Sequence, residues 1–226
     1  MTAITQNFDA CVLDAFGTLF DFPTTAACCR DDLDDKKRAL SDFWRARRTE
    51  YSWLRSKMRE YVSFWQVVQD ALDYTIATLG IQDEKLRQKL LDINWELNAF
   101  PEVPDMLHGL KAGGMKMAIL KNGSPEMVNG AEENAGIMNL LDETFSVHMG
   151  KVYKPNPDIY QMVSGMFDVD ATRVCLMYSN ACDAAAANFG FRVVWINLYN
   201  QPSESIPGTH ERMLPTLEGL SALLRF

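Results

Sequence analysis

Five short apolar runs, at residues 10–13, 115–120, 145–147, 174–177 and 193–196, most constrain what this chain can fold into. Each is bounded by Gly, Asn, Asp or Pro and is too short for a buried helix, so each reads as a buried strand. Between them, residues 125–135, 157–167 and 181–189 read as helices. Strands alternating with helices predict an α/β fold, a parallel sheet with helices on both faces. In such a sheet, functional residues collect at the carboxyl ends of the strands.

One long block interrupts the alternation. Across residues 36–79, Leu40, Phe43, Trp44, Tyr51, Leu54, Met58, Tyr61, Trp65, Val68 and Leu72 recur at the three-to-four spacing of an amphipathic helix or helix pair. Residues 83–98 read as helix too, and Pro101 and Pro104 mark the return to the sheet. The expected organisation is a core of residues 1–22 and 101–226, with residues 23–100 as a helical cap over the sheet end. A separate helical domain is the alternative, but both ends of the block lead back into strands.

Charge is uneven along the chain. Residues 36–59 hold nine Lys/Arg and two Asp/Glu, a local +7, while the other 202 residues hold 13 basic and 28 acidic ones, or −15. Most of the basic run reads as a solvated helix face, with room for at least one arginine to turn inward. The net −8 speaks against nonspecific nucleic-acid binding. It does not exclude a small anionic ligand, because the basic segment supplies a local counter-charge. No apolar run is long enough to span a membrane, and the first ten residues lack the apolar centre of a secretory signal. Cys11 and Cys175 sit in apolar runs, Cys28 and Cys29 are adjacent, and no CxxC pair occurs, so free thiols in the cytoplasm are expected. His108, His148 and His210 lack metal-ligand spacing and read as surface or structural residues.

Four strand-end elements carry the candidate chemistry. The first strand runs into Asp14-Ala15-Phe16-Gly17-Thr18-Leu19-Phe20-Asp21, a carboxylate followed by a Gly that permits a tight turn. The second element is Leu120-Lys121-Asn122-Gly123-Ser124-Pro125, and the third is Val152-Tyr153-Lys154-Pro155-Asn156-Pro157. The fourth is Tyr178-Ser179-Asn180-Ala181-Cys182-Asp183. Carboxylate, amide, ammonium and second carboxylate can converge at one edge of a parallel sheet.

In the order and spacing of these motifs, and in Trp44-Arg45 with Glu50-Tyr51-Ser52-Trp53-Leu54-Arg55-Ser56, the chain resembles the haloacid dehalogenase superfamily and its L-2-haloacid dehalogenase subgroup. The resemblance spans nearly the whole chain. It implies a Rossmann-like core with an inserted helical cap, and a homodimer built partly through the cap. It also implies a hydrolase that uses no metal or other cofactor and acts on small haloacids. Asp14 would attack C2 and form an aspartyl ester. Asp183 would activate the water that hydrolyses the ester, and Lys154 would hold Asp14 ionised. Arg45 would receive the halide, Asn122 would be a second halide or substrate contact, and Ala15, Phe16 and Lys121 would lie at the substrate. Thr18, Ser179, Asn180 and Tyr178 would support the carboxylates, and Tyr160 would support the lysine. Phe64 and Trp44 are either pocket walls or plain core.

Phe16 separates the subgroup from phosphatases on chemical grounds. Phosphatases of the superfamily carry an Asp at that position to protonate a leaving alkoxide, whereas halide leaves without a proton. Two positions depart from the subgroup: Lys121 and Tyr178 stand where Ser is usual. Lys121 could hold a substrate carboxylate more tightly, or pair with Asp14 and block attack; Tyr178 could narrow the pocket. A Mg²⁺-dependent phosphatase and a carboxylate-binding homologue with impaired chemistry therefore stay open as alternatives.

Overall fold

The computed structural model describes residues 8–21, 36–95, 97–218 and 220. Cys28 and Cys29 lie outside them, as does the expected boundary at residues 22–23. The central sheet contains β1 (Ala10–Leu13), β4 (Lys116–Lys121), β5 (Glu143–Ser146), β6 (Val174–Tyr178), β7 (Arg192–Ile196) and β8 (Arg212–Leu214). Its order is β5-β4-β1-β6-β7-β8 with every pair parallel. The chain builds outward from β1 through β4 to β5, then crosses back to lay β6 on the other side of β1. That reversal opens a crevice beyond the carboxyl ends of β1 and β6, where open α/β sheets bind ligands.

Alternation along the strands sorts side chains to two buried faces. Leu13, Met117, Ile119 and Met177 pack with Val103, Met106, Leu107 and Leu110 on one face. Val12, Leu120, Phe145 and Leu176 pack with Ile159, Tyr160 and Val163 on the other. Both faces are covered, so the strands read as continuous apolar runs.

The interrupting block folds as helices α1 (Lys37–Met58), α2 (Phe64–Thr78) and α3 (Glu84–Asp92), followed by a 3₁₀ turn at Ile93–Trp95. The 36–79 stretch is thus a helix pair. Its break falls at Arg59, which takes a left-handed conformation (φ 61°), and Ser63 caps α2 by accepting from Gln66 N at 3.2 Å. Leu40 and Trp44 of α1, Val68 and Leu72 of α2, and Leu86 and Leu90 of α3 form a third core. Trp44 is core, its Nε1–H donating to Val68 O at 2.9 Å.

Two elements escaped the sequence reading. A two-residue antiparallel ribbon, β2 (Phe20–Asp21) with β3 (Asn98–Ala99), brings together the chain on either side of the helical block. The edge strand β8 extends the sheet. The remaining helices are α4 (Val103–Ala112), α5 (Pro125–Asn134), α6 (Pro157–Phe167) and α7 (Ala185–Phe189). The stretch read as helix 181–189 opens with a 3₁₀ turn at Ala181–Ala184. No helix among the described residues is long and apolar enough to cross a membrane.

Candidate active site

Asp14 is the first residue past β1, its N–H donating to Met177 O at 2.9 Å, so the sheet itself fixes its backbone. The chain then turns through Gly17 (φ 80°), whose N–H donates to Phe20 O at 2.8 Å. Three donors hold the Asp14 carboxylate. Lys154 Nζ lies 2.7 Å from Oδ1, and Asn180 Nδ2 donates to Oδ2 at 2.9 Å. Thr18 Oγ1 lies 3.1 Å from Oδ2 and 2.9 Å from Ser179 Oγ. Each hydroxyl has one proton, so a Thr18 that donates to the carboxylate accepts from Ser179. Asn180 Nδ2 also donates to Phe16 O at 2.9 Å, tying the first motif to the fourth.

Lys154 arrives from the loop between β5 and α6. Its N–H donates to Asn122 Oδ1 at 3.0 Å, and its Nζ donates to Leu120 O at 3.0 Å. Nζ also lies 2.8 Å from Asp183 Oδ1, a charge contact without good hydrogen-bond alignment. One buried ammonium therefore serves two buried carboxylates. Burial alone would lower the lysine's pKa, but Asp14 and Asp183 outweigh it and hold the ammonium well above its ordinary value. Burial pushes the Asp183 carboxyl up to about 7; Lys154 pulls against that and Asp14 adds to it.

The helical block is fastened to the loop that carries Lys154. Tyr153 N donates to Ser56 Oγ at 2.7 Å, and Tyr153 OH donates to Val62 O at 2.6 Å. Tyr61 OH lies 3.1 Å from His148 Nδ1. Phe64 stacks on Phe16 with ring centroids 6.5 Å apart. A Cβ at Gly123 would come within 2.6 Å of the Phe16 ring, so only glycine admits the ring there. Tyr153 had no assigned role in the sequence reading, although it stands beside Lys154 in the motif.

Tyr160 falls differently from expectation. Tyr160 does not bond Lys154; α6 aims its hydroxyl at the 181–184 turn, where it donates to Cys182 O at 3.3 Å. Arg45 is exposed on α1. Arg47 and Arg48 are half-buried, Arg47 4.5 Å from the Tyr74 ring centre and Arg48 5.1 Å from that of Trp44; burial lowers the Arg48 pKa to about 10, and the Arg45 charge adds to the effect. Tyr178 is buried in the core that holds Leu176 and Trp195. Ala15 is buried in the opposite core, against Leu13 and Ile119.

Lys121 does not pair with Asp14. It ends β4 in the alternation of Met117 and Ile119 and is fully buried, with no hydrogen-bond partner for Nζ among the described residues. Burial pushes its pKa down to about 7, opposed by Glu132 and Glu126 of α5. Glu132 is itself buried and accepts from Thr144 Oγ1 at 2.8 Å. Lys121→Met removes an unsatisfied buried amine and is expected to stabilise the fold by about 1–3 kcal/mol at pH 7. Between pH about 7 and 10.5 the unfolded wild-type chain holds a proton that the folded chain lacks, so wild-type stability rises with pH there. Urea unfolding across that window should show the rise in the wild type and its loss in Lys121→Met. A less stable variant would mean that the amine works as a charged partner of Glu132.

Paired carboxylates on a shared ammonium, at the switch point of a parallel sheet, mark an α/β protein with a candidate acid–base and nucleophile site. A haloacid dehalogenase-like hydrolase family model matches residues 8–188, and the chain belongs to that family. It is 40% identical over 217 residues to (S)-2-haloacid dehalogenase 1 of Pseudomonas sp. (strain CBS-3), covering 95% of this chain and 96% of that protein. The crystal structure of a dehalogenase with an intermediate complex matches with a TM-score of 0.93 at 35% identity, over 99% of this chain and 100% of the other. L-2-haloacid dehalogenase from Xanthobacter autotrophicus with chloropropionic acid covalently bound matches with a TM-score of 0.87 at 30% identity, over 96% and 98%.

Proposed function

We propose that this chain hydrolyses the carbon–halogen bond of short L-2-haloacids to give D-2-hydroxy acids, through an aspartyl ester on Asp14. The observation that carries the reading is Lys154 Nζ between Asp14 Oδ1, at 2.7 Å, and Asp183 Oδ1, at 2.8 Å. The similarity to (S)-2-haloacid dehalogenases supports the substrate class.

In the first step a carboxylate oxygen of Asp14 bonds to C2 as the carbon–halogen bond breaks, and halide departs with the electron pair. Lys154, Thr18 and Asn180 fix the plane of the nucleophile, so it meets C2 in line with the leaving group. In-line displacement inverts C2. In the second step water adds to the Asp14 carbonyl carbon while Asp183 takes its proton. The tetrahedral adduct then expels the substrate oxygen, which takes the remaining water hydrogen, giving the hydroxy acid and the Asp14 carboxylate. Phe16 on Phe64 gives the apolar wall, and Phe16 offers no proton to a leaving oxygen, which favours halide over phosphoryl chemistry. Arg45 as halide acceptor and Asn122 as a substrate contact belong to the same proposal.

The β2–β3 ribbon supports a division into a core of residues 1–22 and 101–226 and a cap of residues 23–100. A homodimer and a cytoplasmic location complete the reading. The first is supported by exposed Trp53, Leu54 and Met58 on α1, the second by the free thiols of Cys11, Cys175 and Cys182.

The test is halide release from each enantiomer of 2-chloropropionate, with chiral analysis of the lactate. Release from the L enantiomer with D-lactate as product is expected. Phosphate release from phosphomonoesters that depends on Mg²⁺, without halide release, would replace the reading with a phosphatase. Carboxylate binding without turnover would select a binding protein.

A further inference from the structure

Asp183 has been assigned the water proton, so whatever orients its carboxylate bears on the second step. Oδ1 faces Lys154 Nζ at 2.8 Å, and Oδ2 lies 3.6 Å from Cys182 Sγ, within reach of a thiol donor. The sulfur sits on an ordered segment. Residues 181–184 form a 3₁₀ turn in which Asp183 N donates to Asn180 O at 3.0 Å, while the Cys182 carbonyl accepts from Tyr160 OH. The titratable groups that face Asp183 are Lys154 from the loop before α6, Asp14 from the end of β1, Tyr160 from α6, Tyr178 from the end of β6, and Cys182 beside it. Among the described residues, the hydrogen bonds and ion pairs reach its carboxylate oxygens only from Lys154 and Cys182.

We propose that Cys182 is a positioning residue for ester hydrolysis: its S–H donates to Asp183 Oδ2 and, with Lys154 on Oδ1, fixes the carboxylate that receives the water proton. The proposal rests on the reading of Asp183 as base. Burial, and then the Asp183 carboxylate, push the Cys182 thiol well above its ordinary pKa, with Lys154 opposing, so the donor keeps its proton. A protonated thiol is also a poor nucleophile, which suits a side chain beside an electrophilic haloacid.

A donor to the ionised carboxylate lowers its pKa, so losing the donor raises it. The experiment compares pH profiles of halide release and product formation for wild type, Cys182→Ser, Cys182→Val and Cys182→Ala, using 2-chloropropionate. Ser keeps a donor and should reproduce the wild-type acid limb. Val keeps the volume without the donor and should move the acid limb of kcat up by about one pH unit, lowering kcat by up to about ten-fold on that limb with KM within about two-fold. Ala should behave like Val, so one of them suffices if the other does not fold. A lower kcat with an unmoved acid limb in Val or Ala, or profiles that superimpose on wild type, would overturn the positioning role. Asp183→Asn separates the two levels. If it turns over normally, the base assignment fails and the proposal fails with it. If it is blocked while Cys182→Val matches wild type, only the positioning role fails.

Discussion

Asp14→Asn is expected to lower kcat by about 10⁴-fold or more, the scale seen when a nucleophile is removed. An amide oxygen is a poor nucleophile towards C2, and no other carboxylate shares the place of Asp14 past β1. The structure adds a second expectation. Among the described residues, every hydrogen bond to the Asp14 carboxylate comes from a donor side chain: Lys154 on Oδ1, Asn180 and Thr18 on Oδ2. Either orientation of an Asn side chain therefore turns its NH₂ group towards at least one donor. The mismatch should cost about 1–3 kcal/mol of stability. Halide release and urea unfolding measured on one preparation check both outcomes. Retained turnover would mean that the nucleophile lies elsewhere. Wild-type stability would mean that the three donors do not constrain the carboxylate.

The second large effect separates the two chemical steps. Asp183→Asn leaves Asp14 on Lys154, Thr18 and Asn180, so displacement should proceed, but no group remains to take the water proton. The expected result is a burst of about one halide per chain, followed by turnover slower by about 10²–10⁴-fold. Intact-mass analysis after the burst should find the 1-carboxyethyl group of 2-chloropropionate on the chain, and peptide mapping should place it on Asp14. A burst with no adduct, or steady turnover at the wild-type rate, would defeat the two-step scheme. In the wild type, halide release under steady state should weaken as pH falls through the Asp183 titration, which burial raises to about 7 in the resting site and which the loss of the Asp14 charge lowers in the ester. The sign follows from the role: the group works deprotonated.

Much of this site was legible because parallel sheets deliver strand ends to one edge. Asp14, Asn180 and Asp183 follow β1 and β6, which are neighbours in the sheet, and Lys154 closes the set from the loop after β5. The helix at residues 157–167 was legible from its Pro start and its apolar spacing, and Asn156 caps it by accepting from Asp158 N at 2.9 Å. The direction of Lys121 was legible too, in principle. Met117 and Ile119 share a face, and a residue two further along points the same way, under α5. Spacing carries no such information for Cys182, because a 3₁₀ turn has no long periodicity to reveal where one sulfur points. The β2 and β3 strands hold two residues each, too few for alternation, and they pair across the helical block. Arg45, Arg47 and Arg48 show the limit of a charge count: all lie in the basic run, and ring contacts with Tyr74 and Trp44 set the last two apart.

The shared ammonium gives the proposed cycle an internal clock. In the resting site, two carboxylates and Lys154 leave one excess negative charge, and the charge on Asp14 makes Asp183 hold a proton more readily. Esterification neutralises Asp14. Lys154 is then left with Asp183 alone, which favours the ionised base at the stage when water must be deprotonated. Hydrolysis restores the charge on Asp14 as Asp183 takes the proton, and mutual repulsion again helps hold that proton until solvent removes it. The base is thus readied by the first reaction and reset by the second, with no conformational signal between them.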